Sequence, residues 1–308
     1  MKRVSHLYTV LIWTLLLTAA VVPAVAEDIA YIPMAGYELV SLDSQGMHSA
    51  TAGGAVMGDE YTFVGLYTRH LFIEDMVSGD PALSFPSGYH SVDLLFDGGE
   101  GRHQLLALFK SESDRPVYGG LSTFQGAAVY GYEVIAGENL NLALGGGLAL
   151  SDFGIESPIL PVPFIRLAWD SRMLEAGFDF ITGPNLSFTL FPRERFRLNT
   201  DMRMDQFRDS RDLIFETSLE YRLLDPNGPV GDLAGVSLGF KNDSLGFTAG
   251  KSGEEYELQY YALFAELDLA ILTFACGYAF EGRERRGEDD IRQIGSGYFL
   301  SLQGLYQF

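Results

Sequence analysis

The chain has little of several things on which common folds and functions depend. Its single cysteine, Cys276, excludes a disulfide within the chain and a cysteine-rich zinc site. Lysine and arginine number 21 against 41 Asp and Glu, and the formal charge of −20 argues against binding to nucleic acid. After the N-terminus there is no run of 18 apolar residues, so no transmembrane helix is predicted. With 47% hydrophobic and 13% aromatic residues, the chain is nevertheless too apolar to be disordered.

Residues 1–26 have the three parts of a secretory signal peptide. A positive start at Lys2 precedes the apolar stretch 10–17, and the segment ends in Ala24 and Ala26, the Ala-x-Ala pattern of signal peptidase. Cleavage is predicted after Ala26, which leaves an exported, acidic chain. The alternative is an uncleaved membrane anchor. A lipoprotein is excluded because it needs a cysteine at the cleavage point, and the single cysteine is Cys276.

Most of the exported chain alternates between apolar and polar residues, and a period of two indicates β-strands. The alternation is clear at 196–206, 213–223 and 256–264. These segments exceed the mean soluble strand of about 5 to 6 residues and match the 9 to 11 or so that a tilted strand needs to cross a bilayer. Apolar positions are assigned to the lipid and polar positions to the lumen. At 256–264 this rule puts Tyr260 outside and Glu257 inside.

The C-terminal segment carries the most specific signal. Counting back by two from the last residue gives aromatic or apolar residues and one glycine: Phe308, Tyr306, Gly304, Leu302, Leu300 and Tyr298. This pattern resembles the C-terminal recognition strand of bacterial outer-membrane β-barrel proteins, in which the last residue is typically Phe. Gly304 departs from the pattern, since a bulkier apolar residue is usual there. The resemblance implies an all-β, antiparallel transmembrane β-barrel inserted by the barrel-assembly machinery, with an assembly signal formed by Tyr298, Leu300, Leu302, Tyr306 and Phe308.

The number of strands is less well defined than the architecture. The alternation gives fifteen candidate strands, with 234–240 and 244–250 as separate strands, whereas bacterial single-chain barrels have an even number. Removing one of three short segments between 162 and 191 leaves 14 strands, and 12 is the alternative. The predicted domains are a signal peptide (1–26), a periplasmic N-terminal extension, added strand or plug (27–58), and a transmembrane barrel (59–308).

Loop lengths set the predicted orientation, since periplasmic turns are short and extracellular loops are longer. Working back from the C-terminus, the charged loop 282–293 and the loop 225–233 are predicted to be extracellular. The turns 266–270 and 208–212 are predicted to be periplasmic. Residues 283–290 are a candidate site for divalent cations or lipopolysaccharide phosphates, and a solvated loop tip is the simpler interpretation.

Charged residues on the inner face form the predicted functional set. They are Arg166, Glu175, Asp179, Arg197, Asp201, Arg203, Asp205, Glu216, Glu220, Arg222, Glu257 and Glu281. In one interpretation they line a water-filled pore, in which opposed charges select solutes. In the other they form salt bridges that close and stabilise a small barrel. A barrel of 12 to 14 strands is wider than the roughly 8-stranded size that side chains fill, which favours the pore.

The parts of an active site are scarce in this sequence. His90, Ser91 and Asp93 form the one local cluster of interest, and their spacing matches no motif of a barrel enzyme. The other histidines of the exported chain are scattered, so neither a metal site nor a cofactor is predicted. The glycines at 145–147 interrupt a strand and indicate a bend rather than a phosphate loop. We therefore expect no enzymatic activity.

Two functions from different classes follow from these observations. The first is a porin-like passive channel of the outer membrane for small hydrophilic solutes. The second is a closed barrel that acts as a surface structural or adhesion protein through the loops 73–89, 111–121, 225–233 and 282–293. Outer-membrane lipid, lipopolysaccharide and the barrel-assembly machinery are the predicted partners, with small solutes as cargo and no nucleic acid.

Overall fold

The computed structural model shows an all-β chain. It describes residues 29–43, 45–72, 88–117, 119, 123–150, 157–181, 183–204, 213–224, 234–248, 255–286 and 290–305. The strands are β1 (Ala30–Leu42), β2 (Gln45–Met57), β3 (Tyr61–Phe72), β4 (Gly88–Glu100), β5 (His103–Ser113), β6 (Phe124–Ala136), β7 (Leu140–Leu150), β8 (Ile159–Asp170), β9 (Leu174–Phe180), β10 (Pro184–Leu190), β11 (Phe196–Met204), β12 (Leu213–Arg222), β13 (Ala234–Thr248), β14 (Glu255–Leu269), β15 (Leu272–Arg286) and β16 (Asp290–Leu305). Among the described residues, no helix is long and apolar enough to cross a membrane.

The sixteen strands form one closed barrel. Each strand pairs with its sequence neighbours, and β1 pairs antiparallel with β16. The register of this seam runs from Met34 opposite Leu305 to Leu42 opposite Gly297. Because the number of up-and-down strands is even, β1 begins and β16 ends at the same end of the barrel. We call this the near end and the opposite one the far end.

Short connections at the near end have the backbone that tight hairpins require. Two-residue hairpin loops need positive φ, because only then does the turn match the twist of the strands. Gly101, in the connection of β4 to β5, has φ 62°, and Ala270, in the connection of β14 to β15, has φ 53°. Gly137 closes the turn from β6 to β7 by donating its backbone N–H to the Leu140 carbonyl at 3.0 Å.

The predicted strand number, 14 or 12, is wrong, and the finding is 16. Two strands were missed because residues 30–57 form β1 and β2 of the wall, not a periplasmic extension or plug. One strand was counted twice, since 234–240 and 244–250 are parts of the continuous β13. All three short segments between 162 and 191 are strands, so none of them had to be removed. The barrel therefore begins at Ala30 rather than at residue 59.

The merged strand β13 also reverses two of the predicted loop positions. The connection from β12 to β13, which contains 225–233, leaves from the near end. The connection from β11 to β12, which contains 208–212, leaves from the far end. Both segments themselves lie outside the described residues. The near end otherwise has short turns and the far end has longer connections, which is the asymmetry of periplasmic and extracellular ends.

The outer wall of the barrel is apolar. Large side chains are exposed on it at alternate positions of many strands, among them Leu105, Leu148, Phe196, Leu219, Leu238, Leu263, Phe274, Tyr278, Tyr298, Leu300 and Leu302. Soluble proteins expose much smaller apolar patches, and a belt around a barrel is the lipid-facing band of a transmembrane barrel. Trp169 and Tyr61 are exposed close to the near end, where an interfacial aromatic girdle is expected. The predicted architecture is thus confirmed, apart from the strand number.

Candidate functional site

The interior is narrowed by a contact between opposite walls. At the far end, Thr248 of β13 pairs in parallel with Ser113 of β5. These strands are eight steps apart in a ring of sixteen, so they face each other across the barrel. The contact divides the far end of the lumen into two halves. The first half runs from β13 through β16 and β1 to β5, and we call it the half β13–β16–β5. The second half runs from β5 through β9 to β13, and we call it the half β5–β13.

Side chains fill the half β13–β16–β5. At its far end, the His70 and Tyr89 rings stack at 4.1 Å, and Tyr89 stacks on Phe247 at 4.4 Å. Phe72 packs edge-on against Tyr256 at 5.3 Å. These five residues, from β3, β4, β13 and β14, are called the aromatic plug. They touch across the lumen, because β3 and β4 are not neighbours of β13 and β14.

Apolar packing continues from the aromatic plug towards the near end. All members of the plug except His70 belong to one buried cluster. This cluster also includes Leu258, Tyr260, Ala262, Phe264, Ala279 and Phe299. These residues lie on the inner faces of β14, β15 and β16. This half of the barrel therefore has the interior of a packed small barrel rather than that of a pore.

A polar cavity of about 830 Å³ lies in the rest of the lumen. The strands β8 to β13 line most of it, and β1 and β16 contribute the remainder. Its charged lining consists of five carboxylates and three cations: Glu38, Asp179, Asp201, Glu216, Asp243, Arg166, Arg203 and Lys241. An excess of carboxylates in a low-dielectric cavity attracts cations and repels anions.

One wall of the cavity is held by an ion pair between β8 and β4. Arg166 of β8 reaches Asp97 of β4 with an N–O distance of 3.1 Å and donates to Gln104 of β5 at 3.5 Å. The guanidinium also lies 5.6 Å from the centre of the Phe164 ring. These contacts link strands that do not pair, so they tie β8 to the border between the two halves.

The opposite wall carries a second polar link, around Tyr260. Its hydroxyl donates to Asp243 of β13 at 3.1 Å and to Glu38 of β1 at 3.3 Å. Lys241 pairs with Asp243 at 3.2 Å and lies 4.7 Å from the centre of the Phe299 ring. The link joins β1 to β13 and forms the border between the apolar filling and the polar cavity.

Two carboxylates face each other between these walls. Asp201 of β11 is directly opposite Glu216 of β12, and both side chains are exposed to the cavity. Like charges in directly opposite positions destabilise a sheet. Lys241 is opposite Glu216 on the next strand and offsets part of this repulsion. The pair therefore places two carboxylates side by side on this stretch of the cavity wall.

Of the other predicted inner residues on β9 to β12, Arg203 and Asp179 line this cavity. Arg203 lines it, and Asp179 accepts a hydrogen bond from Asn185 at 3.1 Å. Glu220 is buried nearer the near end, where it pairs with Arg197 at 2.5 Å and accepts from Asn199 at 2.9 Å. Two further predicted residues do not line the cavity: Arg222, which is buried, and Glu175, which is exposed towards the near end of β9.

Two of the predicted lumen residues are placed differently, and a third lies outside the described residues. Glu257 lies on the outer face, since its neighbours Leu258 and Tyr256 belong to the buried interior cluster. There it pairs with Arg285 at 2.6 Å. Glu281 is exposed in a β-bulge, with φ 51°, and does not line the cavity. Asp205 lies outside the described residues, as do the assembly-signal residues Tyr306 and Phe308 and the cleavage residues Ala24 and Ala26.

Sequence reasoning missed four charged residues, of which three line the cavity and one pairs with Arg166. They are Glu38, Asp97, Lys241 and Asp243. Glu38 was missed because its segment was assigned to an extension, and Lys241 and Asp243 because 241–243 was taken for a turn. A strict alternation of Gly239, Lys241, Asp243 and Leu245 with outer residues was the available signal.

The histidine cluster of β4 does not assemble into a catalytic arrangement. Ser91 is buried on the inner face and donates to Asp93 at 3.0 Å. His90 is on the outer face, where its Nδ1 hydrogen-bonds to the Tyr67 hydroxyl at 2.6 Å. Histidine and serine therefore lie on opposite sides of the wall. In the described part of the chain, no group of three or more His, Cys, Asp or Glu could hold a metal ion.

Removing the cation of the Tyr260 link is expected to destabilise the barrel. Lys241→Met leaves Glu38 and Asp243 partly buried without their cation, and the free energy of unfolding should fall by about 2 kcal/mol. Urea unfolding in lipid vesicles at neutral pH measures this change. Lys241→Arg keeps the charge and is the control. An unchanged unfolding midpoint in Lys241→Met would contradict the assigned role.

Comparison with known proteins gives no relative in sequence. No protein-family model matches the chain, and no curated protein is significantly similar to it. The chain is similar in structure to the outer membrane protein OpdK of Pseudomonas aeruginosa (9% identity, 92% of this chain and 100% of that chain, TM-score 0.39). It is also similar to OccAB3 of Acinetobacter baumannii (9%, 91% and 99%, 0.38) and to OmpT, an outer membrane protein of Vibrio cholerae (10%, 91% and 100%, 0.32). At these identities and TM-scores, the assignment of the fold depends on the observed strand pairing alone. The similarity to these structures adds no argument about function.

Proposed function

We propose that the protein is a passive channel of the bacterial outer membrane for small hydrophilic solutes, with a preference for cations. The observation that carries the proposal is the cavity of about 830 Å³, lined by charges of both signs with an excess of carboxylates, inside a closed barrel. A cavity with such walls holds water, and opposed charges within it act on a passing solute. The apolar outer belt supports the placement in a membrane.

The contact between β5 and β13 sets the expected size of the passage. An open barrel of about 16 strands leaves an aqueous channel, whereas about 8 strands enclose only side chains or one small ligand. The contact divides sixteen strands into two halves of about that smaller perimeter. One half is filled, so the passage through the other should admit single small solutes and conduct less than an open porin.

Conductance in planar bilayers tests this proposal. Protein extracted in detergent, shown to be folded by a faster-running unheated band on a gel, should give discrete conductance steps. In a KCl gradient the reversal potential should show K⁺ to be more permeant than Cl⁻. Folded protein that gives no steps, or a potential that favours Cl⁻, would overturn the proposal.

A closed barrel with a surface role is the second candidate, and the aromatic plug favours it. The plug and the β5–β13 contact both lie at the far end, where they obstruct entry to the lumen. Function would then depend on the far-end loops 73–89, 111–121 and 282–293. The segment 225–233 no longer belongs to this set, because its flanking strands end at the near end. A folded barrel without conductance would favour this candidate.

A further inference from the structure

Two tyrosine–histidine pairs of similar design lie on the outer face near the far end of β1 to β4. The Tyr37 hydroxyl hydrogen-bonds to His48 Nδ1 between β1 and β2. The Tyr67 hydroxyl hydrogen-bonds to His90 Nδ1 at 2.6 Å between β3 and β4, with the two rings stacked at 5.8 Å. A tyrosine hydroxyl that donates to Nδ1 leaves the imidazole hydrogen on Nε2. With the hydroxyl as donor, each pair presents an imidazole N–H on the outer wall.

Arg69 lies between the two pairs. The register puts it directly opposite His90 on β4 and opposite Ala50 on β2, two residues from His48. Directly opposite side chains have Cβ atoms about 5 Å apart, and diagonal ones about 7 Å. The Arg69 side chain is exposed, and in the part of the chain that the structure describes no carboxylate forms an ion pair with it. One guanidinium and two imidazole N–H groups therefore converge on one patch.

The depth of this patch corresponds to a lipid head group. Arg69 is eight residues along β3 from Tyr61, which is exposed close to the near end. At about 3.3 Å per residue and a tilt of about 45°, Arg69 is roughly 20 Å above Tyr61. The apolar band of such barrels is about 25 Å tall, so Arg69 lies at its far edge. A cation at this depth requires an anionic partner from the lipid, since burial without one is costly.

We propose that Arg69, His48 and His90 bind a phosphate group of a phosphorylated glycolipid, the lipid A portion of lipopolysaccharide, on the outer wall. Arginine matches phosphate geometry through two parallel N–H bonds, and the imidazoles add donors on either side. The glycolipid is chosen over a phospholipid because the far end has the longer connections of an extracellular end. The inference rests on the proposed outer-membrane placement but not on conduction.

Lipid titration of refolded protein tests the site. The chain is refolded from urea into detergent, so that it carries no lipid from the cell, and native mass spectrometry follows the binding of diphosphorylated lipid A. Arg69→Gln is expected to lower the affinity about tenfold, because it removes the charge-assisted hydrogen bonds. Arg69→Lys keeps the charge but not the two parallel bonds, so its affinity should lie between those of the wild type and Arg69→Gln. It is the test variant if Arg69→Gln does not fold.

A matched control exists at the near end. His103 also hydrogen-bonds to a tyrosine hydroxyl, that of Tyr130, and Arg102 precedes it. The double variant Arg102→Gln/His103→Ala removes the same residue types and should bind lipid A like the wild type. Dephosphorylated lipid A should bind wild type as weakly as diphosphorylated lipid A binds Arg69→Gln.

Three results would overturn this proposal. They are equal binding of phosphorylated and dephosphorylated lipid A, unchanged affinity in Arg69→Gln, and phosphatidylglycerol that binds as tightly as lipid A. Conductance recorded on the same Arg69→Gln sample separates the two proposals. The site is remote from the cavity, so its conductance should equal that of the wild type whether or not lipid binding is lost.

Discussion

Replacing both Tyr89 and Phe247 with alanine is expected to raise the single-channel conductance about twofold, because it widens the far-end entry to the lumen, which the two rings obstruct. The two rings are the stacked centre of the aromatic plug, and the half they close has a perimeter similar to that of the conducting half. The measurement is conductance in planar bilayers at fixed salt. Each substitution also costs about 3–5 kcal/mol of stability, so folding is first checked by heat-modifiability on a gel.

Phe196→Ala is the matched control for this experiment. Phe196 is an aromatic side chain on the outer face, 58% exposed, and its removal leaves the lumen unchanged. Its conductance should equal that of the wild type. A folded Tyr89→Ala/Phe247→Ala variant with wild-type conductance would show that the plug does not limit the passage. If only the plug variant conducts, the native protein is a closed barrel and the second candidate function is favoured.

Reversing the charge of Asp201 and Glu216 is expected to convert a cation preference into an anion preference. In Asp201→Lys/Glu216→Lys the lining changes from five carboxylates and three cations to three carboxylates and five cations. Because the walls have a low dielectric constant, such a change should alter the ratio of K⁺ to Cl⁻ permeability about tenfold. The ratio follows from the reversal potential in a KCl gradient, measured near 0.1 M salt, where screening extends over about 10 Å.

A graded series makes this prediction specific to the lumen. Asp201→Asn/Glu216→Gln leaves three carboxylates and three cations and should bring the permeability ratio close to 1. Glu257→Lys changes a carboxylate on the outer face and should leave the ratio as in the wild type. Equal reversal potentials across the whole series would show that solutes do not pass Asp201 and Glu216.

Alternation in the sequence predicted the architecture and most strands, because period two depends only on neighbours along the chain. The first two strands did not stand out by this criterion. β2 is rich in Gly, Ala, Ser and Thr, and such small residues give little contrast between its faces. β13 was divided because Lys241, Asn242 and Asp243 in succession have the composition of a turn, although the first and third are lumen residues.

The orientation of β14 shows a more general limit. Period two defines two faces but does not say which of them is inside. The rule that polar residues face the lumen holds for a water-filled barrel, and here it holds on β11 and β12. On β14 the inner residues Leu258, Tyr260 and Phe264 fill the lumen, so the polar Glu257 is left on the outer face. A filled interior reverses the rule, and only contacts between distant strands reveal it.

Those contacts join residues that are far apart in the chain, so no local pattern predicts them. The pairing of Ser113 with Thr248 and the ion pair of Asp97 with Arg166 both connect strands that are not neighbours. The charged residues of the site could be predicted one strand at a time. Their division between a filled half and an open half could not.

The seam between β1 and β16 determines how the barrel can close during assembly. Met34 and Leu305 are partners, so the loop that closes there contains nearly the whole chain and has a high entropic cost. Before closure, β1 and β16 are free edges whose N–H and C=O groups lipid cannot satisfy. Neither edge strand can therefore remain unpaired in the bilayer. The two edges have to meet as the barrel enters the bilayer, and β16 brings Tyr298, Leu300 and Leu302 to the outer face of the seam.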